Sequence, residues 1–151
     1  VPRRPHLTVG LLLASLLALA GCSPGLGVDA YPTKPGSDVD CRALFADSPR
    51  KVSGQDSILV KDDNAVAWGA PPIIMRCGVE VPDGYTPTSE CYPVGDLCWF
   101  PQKTNDGYLF TVTDRELFVS LEVPEDYQPY SDALSDVGSA VEKHDPPKPP
   151  A

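Results

Sequence analysis

Apolar and polar positions alternate most plainly near the end of the chain, where Leu117, Val119, Leu121 and Val123 are interleaved with Phe118, Ser120 and Glu122. That period of two predicts a strand with one buried face. It closes a meander that begins with WFPQKT, turns at Asn105-Asp106-Gly107 and returns as YLFTVT. Further upstream, KVSGQDSILV, NAVAW and PPIIMRCGVEV read as strands, the last broken at Gly78. Two stretches have a helical period instead. SDALSDVGSAVEK places Leu134, Val137 and Val141 on one stripe behind Ser131 as N-cap, and CRALFA suits a short helix that stops before Ser48-Pro49. The expected fold is α+β: an antiparallel meander sheet with one or two helices packed on one face.

The front of the chain follows another pattern. Residues 7–20 form a nearly unbroken apolar run of 14 residues, preceded by the basic VPRRPH and followed by small residues. A helix needs roughly 20 residues to cross a hydrocarbon core. A run this short, with basic residues before it and small ones after, reads as an export signal. Within it, Leu19-Ala20-Gly21-Cys22 looks like a bacterial lipobox, which implies cleavage before Cys22 and a diacylglycerol thioether on its sulfur. Two acyl chains suffice for stable anchoring. Arg3-Arg4 leaves the export route, Sec or twin-arginine, open.

These features divide the chain into a cleaved signal peptide at 1–21, a lipidated Cys22 with a flexible tether to residue 40, a globular domain at 41–142 and a disordered Pro-rich tail at 143–151. The tether, rich in Gly, Pro, Ser and Asp, has an expected end-to-end distance of roughly 23 Å. Removal of the leader leaves ten basic against 21 acidic residues, a formal balance of −11. Such a surface is unsuited to nucleic acid, whose binding depends on clustered Lys and Arg.

With Cys22 set aside, Cys41, Cys77, Cys91 and Cys98 form an even set, read in an oxidising compartment as two disulfides with three pairings open. Cys41 with Cys77 and Cys91 with Cys98 is favoured, because a turn centred on Val94-Gly95 sets the last two opposite each other on antiparallel strands. The rival, a four-cysteine zinc site, lacks any C-x-x-C spacing. No metal is therefore expected.

The order CRALFADSP, AVAWGAPPIIMRCGV, a Pro-rich cysteine segment, a Trp-containing strand and VPEDYQPYSDALSDV resembles an actinobacterial lipoprotein family known only as a domain of unknown function, DUF3515-like. Trp68-Gly69, Pro71 and Arg76-Cys77-Gly78 carry most of the resemblance. It implies an envelope location and no mechanism.

Common exported chemistries find little support. Beyond the leader, His144 is the single histidine and lies on the expected tail, so a Ser-His-Asp site lacks a positioned base. The adjacent pairs Asp62-Asp63 and Glu125-Asp126 are flanked by turn formers and read as solvated loops rather than glycosidase carboxyls. Asp38-Val39-Asp40 starts like a calcium loop but lacks the following Gly and the distal Glu. Three residues remain as candidate ligand or partner contacts. Trp68 and Trp99 could stack on a sugar, although rings of this size more often fill a core. Arg76, in an apolar strand, must snorkel or pair with a carboxylate.

The chain is thus expected to be a noncatalytic lipoprotein on the outer face of the cytoplasmic membrane, held by the anchor on Cys22. It needs no cofactor and acts as a binding or assembly-support module for an envelope partner. The alternatives are a small-ligand or glycan receptor with a pocket around Trp68, Arg76 and Trp99, and an envelope hydrolase.

Overall fold

The computed structural model describes residues 24–61 and 63–148. The expected signal peptide, the lipid site at Cys22, Asp62 and the last three residues lie outside the described residues. In chain order the elements are α1 (Asp38–Ala46), β1 (Lys51–Val52), β2 (Gln55–Ile58), β3 (Val66–Trp68), β4 (Ile73–Cys77), β5 (Tyr92–Val94), β6 (Leu97–Lys103), β7 (Gly107–Val112), β8 (Val119–Pro124), a 3-10 turn (Glu125–Tyr127) and α2 (Tyr130–His144).

The strands form one antiparallel sheet in the order β1-β2-β3-β4-β8-β7-β6-β5. Two four-stranded meanders are therefore joined where β4 pairs with β8, in the register Met75 to Leu121 and Cys77 to Val119. Alternation along these two strands decides what each face carries. Ile73, Met75 and Cys77, with Val119, Leu121 and Val123, are buried on the face that α1 and α2 cover. On α2, Leu134, Val137 and Val141 are fully buried, and each such side chain stabilises by roughly 1.5–3 kcal/mol relative to exposure. An amphipathic helix of mostly polar sequence is held in place by that stripe.

Several local readings shift. KVSGQDSILV is a hairpin rather than one strand, because Ser53 (φ 47°) and Gly54 (φ 74°) adopt left-handed conformations and reverse the chain between Val52 and Gln55. The β5–β6 turn is Gly95-Asp96, one residue later than expected, with Val94 opposite Leu97. Between β6 and β7 the turn is Asn105-Asp106, and Gly107 already belongs to β7, opposite Pro124. Ser131 lies inside α2 and makes no capping bond, since the helix starts two residues earlier than expected, with Pro129 at its N-cap. Helix α1 starts three residues before Cys41.

The segments on either side of the expected domain are also part of its body. In the stretch read as a tether, the Leu26 N–H donates to Leu59 O (2.7 Å) and the Lys61 N–H to Leu26 O (3.0 Å), while the Thr33 backbone bridges to Val79. Val28 is buried with Val60, Ala65 and Ala67 in a small second core that includes Leu26 and Ile74. Residues 26–33 thus cover part of the sheet face opposite the helices. Elsewhere on that face, Tyr85 from the β4–β5 connection packs edge-on against Phe100. At the other end, the chain after α2 runs antiparallel to 114–116. The Glu116 N–H donates to Pro146 O and the Lys148 N–H to Asp114 O. Both segments are held by main-chain pairing, which leaves no apolar period in the sequence.

Candidate functional site

A cleft of about 760 Å³ opens where the N-terminal strap, α1 and the β3 end of the sheet meet. Its floor is built around Tyr31. The Tyr31 hydroxyl donates to Asn64 O (2.5 Å) and accepts the Cys77 N–H (3.2 Å), joining the strap to β4. Burial pushes the phenol above its ordinary range, opposed more weakly by the Cys77 backbone bond and the Arg76 charge. Tyr31 is therefore a neutral structural pin. Phe45 and Val66 supply apolar wall, Arg42 and Asp63 polar wall, and the Cys41–Cys77 disulfide (S–S 2.06 Å) ties α1 to β4 beside them.

The three residues singled out as contacts do not gather there. Trp68 is 1% exposed and Trp99 0%, both in the core beneath the helices. The Trp68 indole N–H donates to Pro49 O at 2.8 Å. Trp99 Nε1 is buried without a protein acceptor. Arg76 projects from the opposite sheet face, where its guanidinium bonds Glu122 at 2.9 Å and lies 5.8 Å from the centre of the Tyr31 ring. Because Arg76 is directly opposite Ser120, this ion pair is a diagonal contact across β4 and β8. Strand geometry forbids a shared pocket, since Arg76 and the tryptophans occupy opposite faces.

The disulfides pair Cys41 with Cys77 and Cys91 with Cys98 (S–S 2.00 Å). Residues 38–40 form the first turn of α1 rather than a loop. Asp63 lines the cleft, and Glu125 and Asp126 are exposed in the 3-10 turn. Among the described residues, no group of three His, Cys, Asp or Glu is placed to hold a metal ion, and no helix is long and apolar enough to cross a membrane.

His144 is not on a loose tail. It ends α2, and its Nε2 lies 2.7 Å from Asp47 Oδ2, which Lys143 also binds. This cluster braces α2 against the end of α1. A smaller cavity of about 290 Å³ next to it includes Ser37, whose hydroxyl donates to Lys34 O at 2.8 Å. The histidine and the hydroxyl are both present, but each is bonded elsewhere.

Two residues that matter here left no trace in the pattern. Tyr31 stands in a Gly/Pro-rich stretch, and Asp145, fully buried, stands in a polar one. Only their hydrogen bonds reveal them. The family model described as Protein of unknown function (DUF3515) matches residues 6–150. No curated protein and no solved structure matches the chain.

Proposed function

This chain belongs to the DUF3515 family, and we propose that it is a lipoprotein anchored through Cys22 to the outer face of the cytoplasmic membrane, acting without catalysis as a binding or assembly-support module of the cell envelope. The observation that carries this reading is the use of the five cysteines. Four are consumed in two disulfides, as suits an oxidising compartment, and the remaining one directly follows Leu19-Ala20-Gly21 at the end of an export-type apolar run. The walls of the main cleft favour binding over chemistry, because the hydroxyls of its half-buried Tyr31 and buried Ser37 are both committed to backbone groups.

Mass spectrometry of the protein from membranes tests the anchor. A mature chain beginning at Cys22, carrying diacylglycerol and no free thiol, is expected, together with loss of membrane association in Cys22→Ser. An intact leader with free thiols at Cys41, Cys77, Cys91 and Cys98 overturns the reading. Proximity labelling from the anchored form, compared with Cys22→Ser, should enrich an envelope protein partner.

The cleft volume favours one second reading, a receptor for a small ligand or glycan held between Arg42, Phe45 and Asn64 rather than by the tryptophans. Binding of muropeptide or short glycan probes that is lost in Asn64→Ala with Phe45→Ala supports it. Binding unchanged in that variant removes it.

A further inference from the structure

We infer that the corner of the domain formed by Ile58 and Leu59 rests on the membrane that holds the lipid anchor, so that the body is strapped to the bilayer in one orientation instead of swinging on a leash. The inference rests on lipidation at Cys22 and deepens that reading. Leu26 is pinned through both of its backbone polar groups: its N–H donates to Leu59 O and its C=O accepts the Lys61 N–H. Cys22 is four residues before it, so the Cα that carries the anchored sulfur is held within about 14 Å of that pin even with the chain fully extended. The free tether expected from composition reaches farther, at roughly 23 Å, and in every direction.

The surface at the pin is of the kind a bilayer interface accepts. Among the described residues four large hydrophobic side chains are exposed, and two of them are neighbours at this corner: Leu59 at 71% and Ile58 at 38%. Gly25 lies directly over Leu59, where a Cβ would stand 2.9 Å from the Leu59 carbonyl oxygen and 3.1 Å from its Cγ. The strap therefore leaves the body across the side of its most exposed leucine. Lys61, also exposed, is followed by Asp62 and Asp63, so the corner offers the bilayer apolar area and no net positive charge. The domain as a whole is acidic, so a freely tethered body would be repelled from an anionic surface. A short strap with an apolar contact point holds it there.

The test uses the full lipidated protein in vesicles of phosphatidylethanolamine and phosphatidylglycerol. With Cys22 alkylated by lipid and the other four cysteines bridged, Leu59→Cys supplies a single thiol for a bimane label. Lys103→Cys on β6, five strands from β2 and roughly 24 Å away across the sheet, is the control. Quenching by nitroxide lipids is expected to be severalfold stronger at position 59 than at 103. An insertion of about 12 Gly/Ser residues between Ser23 and Pro24, which raises the flexible reach from roughly 11 to roughly 22 Å, should abolish the difference. Equal quenching at both positions in a lipidated, vesicle-bound protein overturns the strapped orientation and leaves the lipoprotein reading standing. A protein that carries no lipid and stays in the supernatant overturns both.

Discussion

Asp145 Oδ1 accepts a 2.8 Å hydrogen bond from the backbone N–H of Leu117, with Asp145 fully buried and its Oδ2 lacking a protein partner. The contact fixes the chain after α2 against the approach to β8. Burial raises the Asp145 carboxyl to about 6, opposed by the Leu117 hydrogen bond and Arg115 and reinforced by Asp114 and Glu116.

The sign of the resulting pH dependence is set by which state holds the proton more tightly. Between the ordinary value of 3.8 and about 6 the folded state does. Stability therefore falls as pH rises through that window, by up to about 3 kcal/mol, and levels off above it. Asp145→Asn keeps the acceptor for Leu117 without the buried charge. It should be more stable than the parent at pH 7.5 and match it near pH 4, as read from urea unfolding across the range. A constant difference between the two proteins would refute the assignment.

The bridges should differ in weight. Cys41–Cys77 closes a separation of 36 residues and Cys91–Cys98 one of seven. Loop-closure entropy assigns them about 4 and about 2.5 kcal/mol. The double variant Cys41→Ser with Cys77→Ser should thus lower the urea midpoint further than Cys91→Ser with Cys98→Ser.

The two tryptophans are both core residues, yet their substitution by phenylalanine should not cost the same. Trp68→Phe orphans the Pro49 carbonyl and loses a hydrogen bond of about 1 kcal/mol in addition to ring volume. Trp99→Phe removes a buried donor that has no protein acceptor. Chemical denaturation should rank Trp68→Phe as the more damaging change.

Gly78 directly follows β4 at φ +69°, and a Cβ there would come within 2.6 Å of Ser37 Cβ, next to the start of α1. Gly84 has a similar φ of +78° with open space around it. Gly84→Ala should cost about 1–2 kcal/mol from backbone strain alone. Gly78→Ala should cost more and lower the fraction of Cys41–Cys77 that forms, as measured by thiol titration during oxidative refolding.

Legibility in the sequence followed the physical origin of each feature. The Leu117-to-Val123 alternation and the Leu134, Val137 and Val141 stripe were visible because burial of one face imposes a period on side chains. The disulfide pairs were visible because turn chemistry brought Cys91 near Cys98. Tyr31, Leu26 and Asp145 act through main-chain groups on segments distant in sequence, and such bonds require no repeating residue type. For the same reason residues 24–37 and 145–148 read as loose ends, although both are paired along the body.

The candidate site divides along the same line. Composition placed Trp68, Arg76 and Trp99 in strands and left open which way each one faced. The register of β3, β4 and β6 then sent the two rings under the helices and Arg76 to Glu122 on the other side.

By itself, the amino-acid order determined the element types, the acidic balance and the apolar run at 7–20, because these depend on local pattern and composition, and it favoured one of three disulfide pairings, the one that forms. The return of β8 to β4, the cleft under the strap and the position of Leu59 beside the pinned Leu26 were decided only in three dimensions. They arise where backbone donors and acceptors far apart in the chain satisfy one another, and no single segment carries that information.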